Sequence, residues 1–286
     1  MASYQLHYGR FEMPLFDTYV AVDWSASSTP KRGRDSIWIA FGDELHNPAT
    51  RHEATALLRT ALLDAVHRGV RTIVGWDFAF SYPAGTLSRL GFQSWHELFD
   101  MLAGDIVDRP DNSNNRFAVA AELNRRIGCS IGPLWGCPPS AAGRYLTTRR
   151  GPVTELGEYR ACERLLRQRG RAVHSPFKLF TAGSVGSQTL VGLPRLHELR
   201  NDRELAPHSA VWPFESVTSK AVVHVEIWPP DFAVDYGSHD VRDAAQVLAV
   251  TTGLARLDRG DRLSSALSVP DLAVIAEEGW VLSAPD

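Results

Sequence analysis

Residues 18–23, TYVAVD, alternate with period two: Tyr19, Ala21 and Asp23 share one face of an extended chain, and Val20, Val22 and Trp24 the other. This run predicts a strand closed by an aspartate. A segment rich in Ser, Pro and Gly follows, and SIWIAF at 36–41 then predicts a second strand, the two forming a hairpin. Thr50 and Glu53 have capping-box spacing. Ala54, Leu57, Leu58, Ala61, Leu62, Ala65 and Val66 draw an apolar helical stripe, which Gly69 ends. RTIVGWDF at 71–78 is the next strand, again closed by an aspartate, Asp77. Strand, helix and strand with a short return predict parallel pairing through a right-handed crossover.

From residue 80 to 217 the periodic pattern gives way to segments such as RPDNSNNR, GPLWGCPPSAAG and TAGSVGSQ, with helical pieces RFAVAAELNRRIG and EYRACERLLRQRG. This stretch reads as a large, loop-rich helical insertion. AVVHVEIWPP then predicts a strand with Val222, His224 and Glu226 on one face and Val223, Val225 and Ile227 on the other. SHDVRDAAQVLAVTTGLARLD predicts a helix capped by Ser238 or Asp240, and the tail a short helix, Gly279 and a final strand. The whole, residues 1–286, reads as a single α/β domain: a mixed sheet flanked by helices, with 80–217 inserted into it.

Composition narrows the partners. A net charge of −3 gives no whole-surface attraction for nucleic acid, so such a partner would have to meet a local basic patch. Cys129, Cys137 and Cys162 stand in no metal-ligand spacing, which fits a reducing cytoplasm. The opening residues lack the apolar core of a signal peptide, and no run approaches the roughly 18–20 apolar residues of a membrane span. The expectation is a soluble, cytoplasmic protein with no membrane partner.

Four carboxylates occupy comparable places: Asp23, Asp77 and Glu226 on strands, and Asp243 in the first turn of a late helix. Acids at the ends of neighbouring parallel strands converge at the carboxyl edge of the sheet, the usual place for a site. Held close, they either share protons or bind divalent cations, and hard oxygen ligands suit Mg²⁺ or Mn²⁺. The alternative for Asp23 and Asp77 is to accept backbone N–H groups in the turns they begin. For Asp243 it is to complement a helix N-terminus. His224 reads as a strand residue bonded to its neighbours. An acid inside VVHVEIW has fewer bland uses, which makes Glu226 an additional ligand or base.

The segments YVAVDWSA, GWDFAFSYPAG, DNSNNRFAVAAELN, GPLWG, EYRACE, TAGSVGSQTLVGLPRL, VEIWPP and RDAAQVLA resemble a bacterial family related to predicted nucleases of the ribonuclease H-like fold. Some of its members carry cobalamin- or molybdopterin-synthesis labels. The resemblance implies a ribonuclease H-like core. It also implies that Asp23 takes the first-strand acid role, Asp77 the second and Asp243 that of the helix acid, together holding the metal. Glu226 matches no standard ligand of the wider fold. The function expected is a metal-dependent phosphodiester hydrolase, a nuclease in the family's terms, acting on a phosphate-bearing substrate such as a nucleic acid or nucleotide.

Other motifs compete. Gly183, Ser184 and Gly186 sit in a glycine-rich stretch whose bare N–H groups suit a phosphate, although a plain tight turn explains them too. The stretch departs from a dinucleotide fingerprint because Thr181 stands at its first glycine. Asn112, Asn114, Asn115 and Arg116 suit either a polar substrate or a helix start. Arg144, Arg149, Arg150, Arg160, Arg164 and Arg167 make the insertion locally basic. DWSASS suggests an actin-like phosphate loop, and hence an ATP-dependent phosphotransferase, but Trp24 stands where those loops carry glycine. A non-catalytic binding protein keeping the fold is the third alternative. The insertion, leaving directly after Asp77, is expected to place its asparagines and the turn at 183–186 over the acidic edge.

Overall fold

The computed structural model describes residues 13–128, 132–151, 155–270 and 273–282, so Cys129 and the opening residues lie outside it. The hairpin forms between β1 (Thr18–Asp23) and β2 (Trp38–Phe41), and β3 (Glu44–His46) extends it. α1 (Arg51–His67) starts where the Thr50 hydroxyl accepts the Glu53 N–H at 3.1 Å. It returns the chain to β4 (Thr72–Trp76), which lies parallel to β1 with Val22 opposite Trp76.

The insertion holds α2 (Thr86–Leu90), α3 (Trp95–Asp105), α4 (Arg116–Ile127), α5 (Ala161–Gln168) and α6 (Val185–Arg200). Its last residues add a sheet strand, β5 (Ser209–Val211), and after it come β6 (Val222–Ile227), α7 (Arg242–Arg259), α8 (Leu263–Ala266), α9 (Ile275–Glu278) and β7 (Val281–Leu282). Neither Ser238 nor Asp240 caps α7, whose N-cap is Val241. Among the described residues the strands form one seven-stranded mixed sheet in the order β3-β2-β1-β4-β6-β5, with β7 also paired to β6. β1, β4, β5, β6 and β7 run parallel, so the carboxyl ends of β1, β4 and β6 meet at one edge.

Each face of the sheet has its own apolar layer. Val20, Val22, Val74 and Trp76 pack with Leu58 and Leu62 of α1 and with Leu190, Val191 and Leu193 of α6. Ala21, Ile73, Val223 and Val225 pack with Val247, Val250 and Leu254 of α7. The insertion is therefore more than loops over an edge. α6 is buried along most of its length and forms a covering layer of the sheet. It comes so close that a Cβ on Gly192 would lie 2.6 Å from the Phe78 ring.

Candidate functional site

Parallel register decides which acids meet. Asp23 and Asp77 lie one step beyond the Val22–Trp76 pair, and the Asp77 N–H donates to the Val22 carbonyl at 3.0 Å. Neighbouring strands stand about 4.8 Å apart, so the two side chains leave adjacent points of the sheet. Alternation puts both on the α7 face, in step with Ala21 and Ile73. Asp243, in the first turn of α7, accepts the Asp35 N–H at 2.7 Å. All three line one cleft of about 660 Å³. That volume is within the ordinary range for a small-molecule site.

The electrostatics of the pair are uncompensated. Among the described residues, no side chain or backbone N–H donates to either the Asp23 or the Asp77 carboxylate, and no basic side chain pairs with them. Burial pushes Asp23 well above the usual carboxylate range, and repulsion from Asp77, Asp243 and Asp35 adds to it. Burial, then Glu226 and Asp243, raises Asp77 to about 7. Asp243 is raised more by burial than the Asp35 N–H lowers it.

Glu226 is near enough to repel Asp77, but its carboxylate is committed elsewhere. It pairs in register with Trp76, so it leaves the opposite face of the sheet. Its carboxylate accepts the Phe80 N–H at 2.9 Å and both terminal nitrogens of Arg160, one of them at 2.8 Å. Arg160 also holds Glu163. Glu226 thus anchors the insertion to β6, which corrects its reading as a ligand or base. His224 is equally structural: its Nδ1 accepts the Trp76 indole N–H at 3.2 Å, and burial lowers its pKa to about 3.

The asparagines are also redirected. Buried Asn112 accepts the Arg51 N–H at 2.9 Å and donates to the carbonyls of Thr29 and Ala49. Asn114 donates to the Asn112 carbonyl and accepts from Arg116, while Asn115 bridges the Val107 N–H and the Asp105 carbonyl. None of the three lines the cleft; they brace the loop ahead of α4. Gly186 is a packing glycine, since a Cβ there would meet the Pro176 carbonyl at 2.3 Å. Of Arg144, Arg149, Arg150, Arg160, Arg164 and Arg167 none lines the cleft; Arg160 is committed to Glu226 and Arg150 pairs with Glu158.

Arg116, Gly183 and Ser184 do reach the cleft that the acids line. Arg116 is more than nine-tenths buried, and its guanidinium donates to Ser187 Oγ at 3.0 Å, Ser28 Oγ at 2.9 Å and Asn114 Oδ1 at 2.8 Å. Among the described residues no carboxylate pairs with it, and burial and the neighbouring Arg51 lower its pKa to about 10. Gln188 and Gln246 complete the walls and were not apparent from the sequence. Gln246 had a usable signal, because it lies three residues after Asp243 and so shares its helix face.

The donor set fits a cation in a limited sense. Among the described residues no three His, Cys, Asp or Glu side chains form a ready metal-binding group. Asp23 and Asp77 instead offer two unpartnered carboxylates beside open space. That suits Mg²⁺, which takes one or two carboxylates and keeps several waters. Among the described residues no helix is long and apolar enough to cross a membrane. Comparison with known protein families, with curated proteins and with solved structures finds no match.

Proposed function

We propose that this protein is a divalent-cation-dependent hydrolase of phosphate esters, with phosphodiesters and nuclease-like chemistry as the favoured case. The observation that carries the reading is the make-up of one cleft, which is lined both by an uncompensated acid pair and by a buried arginine that no carboxylate pairs with among the described residues. Bound Mg²⁺ or Mn²⁺ would neutralise the acids and polarise a phosphate oxygen. Asp23 and Asp77 would hold it. Asp243, tied to the Asp35 N–H, would add its negative charge to theirs in holding the ion. Arg116, kept in place by Ser187, Ser28 and Asn114, would bind the substrate phosphate, helped by the N-terminus of α6 at Ser184. The ribonuclease H-like reading of the fold draws support from the order of elements: a hairpin with a first-strand acid, a helix, a parallel strand with a second, a late parallel strand and a helix with a third.

Titration calorimetry with MgCl₂ and MnCl₂ tests this, alongside turnover of bis(p-nitrophenyl) phosphate. The expected result is cation binding near pH 7 with release of protons, since the raised carboxylates must ionise to ligate. Asp23→Asn should abolish both binding and turnover while folding as well as the parent. Unchanged cation binding by this variant would overturn the reading, and so would metal-free unfolding several degrees lower.

A further inference from the structure

A second cavity adjoins the cleft. This chamber, about 180 Å³, shares Asp77, Gly183, Gln188 and Gln246 with the cleft. Most of its other walls are apolar, among them Leu166, Val173, Ile227 and Trp228. His174, Glu163 and Glu226 also border it, and both carboxylates are bonded to Arg160. An apolar cavity of roughly 150 Å³ holds a benzene ring, so the chamber has room for a flat ring system at its mouth.

Its polar groups say what kind of ring. Gln246 makes no side-chain hydrogen bond to any described residue, leaving an amide donor and an acceptor for a ligand. Gln188 donates to the Trp24 carbonyl at 2.6 Å, so its own carbonyl oxygen remains available. An alkyl chain in the chamber would leave these groups unpaired, at a cost in affinity. A heteroaromatic ring has apolar faces for Leu166 and Trp228, and donors and acceptors on its edge for the glutamines. Apolar walls with a few placed polar groups are the usual make-up of a site that orients such a ligand.

We propose that this chamber receives the base of a nucleotide whose phosphate lies in the adjoining cleft. The substrate is then a nucleoside phosphate or the end of a short strand, recognised one nucleotide at a time. The inference rests on the phosphate-ester reading for the cleft, and its test separates the two. Calorimetry on the full chain would compare the four nucleoside 5′-monophosphates, the free nucleosides, ribose 5-phosphate and inorganic phosphate, each with and without Mg²⁺. At least one nucleotide should bind tenfold or more tightly than ribose 5-phosphate, and the matching nucleoside should bind without the cation. Gln246→Ala should weaken nucleoside binding about tenfold. Val173→Trp, which fills the chamber, should do the same; if it fails to fold, Gln246→Ala decides alone. Nucleoside binding with no affinity for Mg²⁺ or phosphate would uphold the chamber and overturn the cleft reading. Mg²⁺ and phosphate binding with every nucleotide no tighter than ribose 5-phosphate would overturn the chamber alone. Unchanged nucleoside affinity in folded Gln246→Ala would also overturn it.

Discussion

At the carboxyl edge of the sheet, Glu226 is met by Arg160 and by the Phe80 N–H, whereas Asp23 and Asp77, one strand or two away, meet no donor among the described residues. Asp108 resembles Glu226: it is gripped by Arg51 and Arg195, whose hydrogen bonds hold its carboxyl below the usual range despite burial. A buried acid with cations and N–H groups around it is a structural joint, and removing a partner is costly. A half-buried acid without them, such as Asp23 or Asp77, holds its proton more readily than a free carboxyl and gains most from an incoming cation. Sequence position alone does not separate the two kinds, because all of these residues are acids in apolar or loop-flanked surroundings. Partners separate them.

The largest effect is expected where compensation is complete. Arg160→Met strands Glu226 and Glu163 in the interior and should lower stability by about 3–5 kcal/mol in urea titrations. Adding Glu226→Gln should recover part of that loss; a loss under about 1 kcal/mol from the single change would break the contrast. Asn112→Ala should cost about 1–3 kcal/mol, because the Arg51 N–H loses its acceptor inside the core. The same variant should leave Mg²⁺ and phosphate titrations unchanged, and a weakened phosphate isotherm with intact folding would return Asn112 to the site.

The smallest effect has the opposite sign. Asp77 is raised in the folded protein to about 7 from a reference of 3.8, and Asp23 is raised as well. The folded state therefore holds protons that the unfolded chain gives up. Their contribution to stability is fully present below about pH 4 and is lost as pH rises through about 7. Asp77→Asn should then stabilise the metal-free protein by about 1 kcal/mol at pH 8, with the gain vanishing near pH 4. Mg²⁺ should raise the wild-type melting temperature more at pH 8 than at pH 5, where protons compete for the same oxygens. Calorimetric scans over that range check both, and an unchanged or lower metal-free midpoint at pH 8 for Asp77→Asn would place it among the structural acids.

Several elements were legible because their periodicity is local. The period-two runs at β1, β4 and β6, the stripe of α1 and the long helix α7 all appear where the pattern puts them. α6 was not legible. It is buried on several sides and contains Gly186, Gly192 and Pro194, so it shows no single apolar stripe and carries the punctuation of a turn. β3 and β5, at three residues each, are too short for alternation to register.

The site divides the same way. Strand alternation and the positions of Asp23 and Asp77 at two strand ends are properties of the sequence, and they follow from backbone geometry that every extended chain shares. Gly183 and Ser184 at the start of a helix that reaches the cleft, Arg116 without an acid, and Arg160 committed to Glu226 are properties of the tertiary structure. Arg160 and Glu226 lie 66 residues apart in the chain, and no local pattern records their contact. Register between β4 and β6 turns Glu226 away from the acid pair, and register depends on which strands the packed helices bring together. Whether a buried carboxylate is a joint or a site is therefore decided by its neighbours in space, because its charge interacts with whatever folding places within a few ångströms.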